Sequence, residues 1–130
     1  MEKVISFTIP IKTVSEANNF DHWTGKRNRK IHQNFFIDAF FNKHVSDSDI
    51  VFPCKVKMIR VAPRKLDDDN LRMLFKNTRD RISEKLIPGL AKGRADGDER
   101  IAWDYGQEKG KPNYHAIRIE ITFFNRTFPS

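Results

Sequence analysis

The chain has 130 residues and a formal net charge of +7, from 24 Lys and Arg against 17 Asp and Glu, with a single cysteine. Such a length fits one domain over residues 1–130, large enough to bury a core without metal or disulfide staples, so any metal is expected to be catalytic. The charge favours a polyanion partner, Cys54 excludes an intrachain disulfide and is expected as a buried, inert thiol, and no apolar run approaches the ~18 residues of a bilayer span.

The protein is therefore expected to be cytoplasmic, with no membrane partner. Taken in order, Ile5, Phe7, Ile9 and Ile11 alternate with polar residues as in a half-buried strand, and Pro10 places its far end on an edge or outside the ladder. Residues 13–25 have loop composition, rich in Asn, Ser, Asp and Gly. From Lys26 to Val45 there is no breaker, and Ile31, Phe35, Ala39 and Phe40 recur at helical spacing. Phe36, Ile37 and Phe41 widen that apolar surface, which implies either burial on several sides or a dimer contact.

A second strand is predicted over Phe52–Ala62, with a slip of alternation at Met58-Ile59 that suggests a bulge or a change of face. The helix expected over Asn70–Leu86 carries Leu71, Leu74, Phe75, Thr78 and Ile82 on one side and Arg72, Lys76 and Arg79 on the other. A basic connection through Lys92 and Arg94 leads to strands at Ile101–Gln107 and Ile117–Phe123, joined by a turn at Lys109–Asn113 and read as a hairpin. The sum is one compact α/β (α+β) domain, a mixed sheet of about four strands with two helices in the order βαβαββ.

Two acidic clusters punctuate this basic chain: Asp67-Asp68-Asp69-Asn70 after the second strand, and Asp96-Gly97-Asp98-Glu99 before the third. In extended chain Asp67 and Asp69 project together, as do Asp96 and Asp98. Converging at one end of a sheet, such doublets suit Mg²⁺, whose oxygen ligands offset their mutual repulsion and leave positions for water and phosphate. Arg64, Lys65, Arg72 and Lys76 stand close in sequence to stabilise developing charge, and the start of the following helix adds backbone donors for phosphate. The plain alternative makes Asp69 or Asn70 a helix N-cap, which accounts for one acid and leaves three.

The order of apolar strand, basic pair, Asp67-Asp68-Asp69-Asn70-Leu71, amphipathic helix, and Asp96-Gly97-Asp98-Glu99-Arg100-Ile101 resembles the RusA-type Holliday-junction resolvases. The stretch Trp103–Gly110 and the last strand are similar to phage-associated members of that family. The resemblance runs from about Phe52 to Phe124. It implies a small homodimeric endonuclease, dependent on Mg²⁺ with Mn²⁺ as a substitute, that resolves branched DNA in recombination and repair. Carried over by position, it implies Asp67, Asp69 and Asp98 as metal ligands, with Asp96 as an accessory carboxylate. One departure stands out: the family's lysine lies three residues after the motif asparagine, where this chain has Met73. Lys76, one turn further and about 60° around the axis, is the candidate replacement, with Arg72 as the alternative.

His22-Trp23 and the cations Lys26, Arg27, Arg29 and Lys30 form a candidate phosphate grip at a helix start, joined by Arg64, Lys65, Arg72, Arg79, Lys92 and Arg94. Trp23 by itself reads more readily as core. The four histidines lack zinc spacing, and no P-loop is present, so neither zinc nor a nucleotide cofactor is expected. The rival reading is a structure-selective DNA-binding protein that has lost hydrolysis, for which Met73 is the motivating residue.

Overall fold

A computed structural model describes residues 2–12, 23–89 and 98–124, with backbone alone for 23–26. Alternation at period two builds β1 (Glu2–Ile9), which stops before Pro10, a residue with no N–H to donate. Helix α1 (Trp23–His44) follows, then β2 (Cys54–Ala62), α2 (Asp68–Leu74), α3 (Lys76–Leu86), β3 (Ile101–Lys109) and β4 (Ala116–Phe124). The four strands form one mixed sheet in the order β1-β4-β2-β3. Strands β2 and β3 run parallel, and β4 lies antiparallel between β1 and β2.

Register decides the core. Ile5, Phe7 and Ile9 align with Ile121, Ile119 and Ile117, and Cys54, Val56 and Met58 align with Phe123, Ile121 and Ile119. On the other side of β2 the same three residues meet Ile101, Trp103 and Tyr105. These side chains share one face of the sheet, and the helices cover it with Ile37, Phe41, Leu71, Leu74, Phe75, Ile82 and Leu86. Burying each aliphatic or aromatic side chain contributes roughly 1.5–3 kcal/mol, so this one interface holds the domain together. A bidentate pair ties the helices laterally: Arg81 Nε and Nη2 of α3 donate to Asp38 of α1 at 2.8 and 2.5 Å.

Four expectations change. First, β3 and β4 are not a hairpin, because β2 lies between them. Every apolar residue of the period-two set in β4 is fully buried, which suits a strand paired on both sides, whereas Asp104 and Glu108 suit β3 to an edge. The predicted turn exists, but it crosses the end of β2. Gly110 N donates to Ala62 O at 2.7 Å, and a Cβ at Gly110 would stand 3.0 Å from Val61 Cγ1. Asn113 supplies the left-handed residue, φ 64°.

Second, no bulge occurs in β2, whose register with β3 and β4 is unbroken. Ile59 instead lies on the face opposite Met58, buried beside Gly106, whose missing side chain leaves room for it. Third, the predicted second helix is two, broken at Phe75 (φ −86°, ψ −2°), so the order is βαβααββ. Its N–H is shared between the Leu71 and Arg72 carbonyls at 3.2 Å, and its buried ring stacks on Tyr105 at 6.0 Å. Fourth, the helical repeat Ile31, Phe35, Ala39 faces outward: Ile31 is 58% and Phe35 69% exposed, while Ile37 and Phe41 enter the core.

Candidate nucleic-acid and metal site

The first acidic cluster is built by helix capping. Asp67, in extended backbone, is the N-cap of α2, and its Oδ1 accepts from Asn70 N at 2.9 Å. Asp68 and Asp69 therefore belong to the first helical turn. The cap is Asp67, not Asp69 or Asn70, and strand alternation does not extend past it, so pleating gives no reason for Asp67 and Asp69 to project together. The Asn70 N–H is also taken by Asp67, which removes a donor expected for phosphate.

The turn is held from below by a residue that sequence reasoning missed. Gln107 lies on the helix-covered face of β3, and its amide grips the Leu66 backbone on both sides: Leu66 N donates to Oε1 at 2.9 Å, and Nε2 donates to Leu66 O at 2.6 Å. A polar residue in the apolar register of Ile101, Trp103 and Tyr105 was the available signal. On β2, Arg60 Nη1 donates to Arg64 O at 2.5 Å. All three aspartates are exposed, and none is paired with a cation among the described residues. Other acids differ: Asp38, Asp49, Asp104, Glu84, Glu108 and Glu120 each meet an arginine or lysine.

Asp98 is also held. Arg100 donates to it from N and Nε at Oδ1 and from Nη2 at Oδ2, each at 2.9 Å. That side chain, then the backbone N–H, lowers its carboxyl to about 2. Arg100 in turn sits over the Phe52 ring at 5.2 Å, and its carbonyl accepts from Cys54 N.

The parallel register separates the two acidic motifs. Cys54 faces Ile101 at one end and Ala62 faces Lys109 at the other. Asp98 precedes Ile101, whereas the Asp67 turn is anchored to Gln107, six residues on, or about 20 Å at strand rise. The expected convergence at one end of the sheet does not occur within a chain. Among the described residues no three Asp, Glu, His or Cys side chains gather as a metal group. A closed three-carboxylate centre of Asp67, Asp69 and Asp98 does not fit one copy.

Lys76, exposed at the start of α3, shares a recess of about 310 Å³ with Arg72, Met73, Arg79 and Tyr105. Met73 is 51% exposed, so an apolar side chain stands in the open where the resemblance puts a lysine. Arg79 is not on an outward stripe: Nη1 donates to Tyr105 Oη at 2.6 Å and the guanidinium lies 4.9 Å from the Trp103 ring centre. Arg64, Lys65, Arg72, Arg27 and Lys30 are exposed, and Arg29 is half-buried. Lys92, Arg94, Asp96 and His22, with the side chains of Trp23 and Lys26, lie outside the described residues. Cys54 is buried, and burial raises its thiol to about 11, the inert state expected. Among the described residues no helix is long and apolar enough to cross a membrane.

Neither the scan against protein-family models nor the search among curated proteins finds a match to this chain.

Proposed function

We propose that the chain is a divalent-metal-dependent endonuclease for branched DNA, Holliday junctions included, that works as a homodimer. The observation that carries this reading is the Asp67–Asp69 turn: three adjacent, exposed carboxylates with no cation partner among the described residues, in a chain of net charge +7. Mutual repulsion makes such a turn a sink for a hard cation, Mg²⁺ or Mn²⁺, which when bound supplies Lewis acidity toward a phosphodiester.

Because Asp98 lies about 20 Å away in the same chain, its part in that centre requires a second copy. The edge strand β3 offers the geometry. A twofold axis near its middle sets two copies antiparallel, bringing Asp98 of each to the Asp67 end of the other. Asp98 is ionised well below neutral pH, and exchanging Arg100 for a metal frees it to ligate.

Mixing two inactive variants tests the reading. If Asp69→Asn and Asp98→Asn chains are each inactive, their mixed dimer has one doubly damaged site and one intact site, and nicks one strand of a synthetic four-way junction with Mg²⁺. A mixture as dead as its parents rejects the shared site. Wild type that binds junctions but never cuts them, with Mg²⁺ or Mn²⁺, rejects the enzyme in favour of a non-catalytic junction binder, the reading that exposed Met73 supports.

A further inference from the structure

Beyond β1 the chain passes Pro10, Ile11 and Lys12 under the early turns of α1, leaving a recess of about 480 Å³. Its apolar walls include Ile11 and Phe36, its polar groups are Lys12, Asn28, Arg29, His32 and Gln33, and among the described residues no carboxylate lines it. A concave site whose described lining offers three basic side chains and two amides is complementary to an anion.

Two more basic groups extend it. Arg60, near the end of β2, pairs with Ile117 on the helix-covered face, and His115 stands just before β4, two residues ahead of Ile117. His115 is less basic than usual because of burial, then the charges of Lys12 and Arg60. Lys12 and Arg60 thus both act on His115, and among the described residues no carboxylate offsets them there. Among the described residues neither Lys12 nor Arg60 has a carboxylate partner, and burial makes it harder for Arg60 to hold its charge. Strands β1, β4, β2 and β3 are neighbours in that order, so Lys12, His115, Arg60 and the Leu66–Gln107 clasp follow one another across one end of the sheet. Three strand spacings make about 14 Å, roughly the axial rise of four nucleotides.

We propose that this recess and the track from Lys12 through His115 to Arg60 bind the backbone phosphates of a DNA strand and lead it to the Asp67–Asp69 turn. The inference rests on the nuclease reading for its partner, but it concerns binding and needs no cleavage. Lys12 and His32 hold phosphate in the recess, and Arg60 holds the next phosphates toward the acids.

The test is the affinity of a labelled four-way junction in EDTA, across a salt series, for wild type, Lys12→Gln, His32→Gln and Arg60→Gln. Lys12 and His32 are exposed, and thermal melts show whether each variant keeps its fold; Arg60→Lys retains charge if Arg60→Gln does not. Expected is a 3- to 10-fold loss of affinity for Lys12→Gln at moderate salt, with the slope of log K against log salt falling by about 0.9 for each phosphate no longer neutralised. Arg60→Gln behaves alike, while Arg60→Lys recovers most of the affinity. Folded variants that match wild type in affinity and slope overturn the track while leaving junction binding itself standing. Displacement of DNA by millimolar inorganic phosphate at matched ionic strength overturns it in favour of a small-anion pocket. Cleavage failure in Mg²⁺ with the salt slopes as expected rejects the nuclease and keeps the track.

Discussion

The two ends of the parallel strands β2 and β3 carry aspartates in opposite states. At the N-terminal end Asp98 is enclosed by Arg100, two residues along the chain, and the backbone beneath it is stitched to Cys54. At the C-terminal end Asp67, Asp68 and Asp69 stand exposed, and Lys12, His115 and Arg60 gather across the strand ends without a carboxylate among the described residues. A group neutralised within its own motif stabilises the fold; charges of both signs left unpaired at one end are available to a ligand.

The largest effect should come from removing what supports the open end. Phe75 is fully buried at the joint of α2 and α3 and stacks on Tyr105. Phe75→Ala should cost about 3–5 kcal/mol in urea unfolding, by lost transfer energy and the cavity left behind. A loss under about 1 kcal/mol would mean that the joint does not anchor the acidic turn.

Asp67 allows cap and charge to be separated. Asp67→Ala should destabilise by about 1 kcal/mol, whereas Asp67→Asn, an equally good cap, should stay within a few tenths. If the turn binds metal, Asp67→Asn nevertheless abolishes Mg²⁺-dependent cleavage. A variant that is stable and fully active would make Asp67 a cap and nothing more.

Smaller still is the pH response of the closed end. Arg100 holds the Asp98 carboxyl down to about 2, against an ordinary value of 3.8. A depressed folded pKa contributes stability that is present above the ordinary value and is lost as pH falls through about 2. Arg100→Ala should raise the Asp98 titration, followed by NMR, from about 2 toward 3.8, with part of the lowering kept because the backbone N–H of residue 100 still donates. The stability gap between variant and wild type should then be full at pH 5, shrink as pH falls through about 2 and vanish below it. A gap unchanged across that range would break the assignment.

Much of the contrast was legible in the sequence, at the level of elements. Alternation located β1, β2 and β4, the strand read at Ile101–Gln107 without that alternation is β3, and the Asp-rich stretch did begin a helix. Adjacency was not legible: a Gly-Lys-Pro-Asn turn reads the same whether it joins neighbours or steps over β2, and only the full burial of Ile117, Ile119, Ile121 and Phe123 reveals a central strand. That error bears on the site, since the parallel pairing of β2 with β3 is what separates Asp98 from Asp67. The outward turn of Ile31 and Phe35 escaped notice for a similar reason, because a helix with apolar residues all round has no unique inner face. Gln107 stands out in sequence only as a polar residue in the apolar register of β3, and the backbone groups that it and Arg60 bind are encoded in no side-chain pattern.

The faintest distinction between the ends is reactivity. Cys54 opens β2 at the closed end, is buried, and donates its N–H to the Arg100 carbonyl. With its thiol raised from 9.0 to about 11 by burial, it holds about a hundredfold less thiolate than an ordinary cysteine at the same pH, before access is considered. A thiol reagent at pH 8 should therefore label native protein at a rate set by opening of the N-terminal strand ends, and urea below the unfolding midpoint should speed it. A labelling rate that urea leaves unchanged up to the midpoint would show that Cys54 reacts without such opening and would break the distinction.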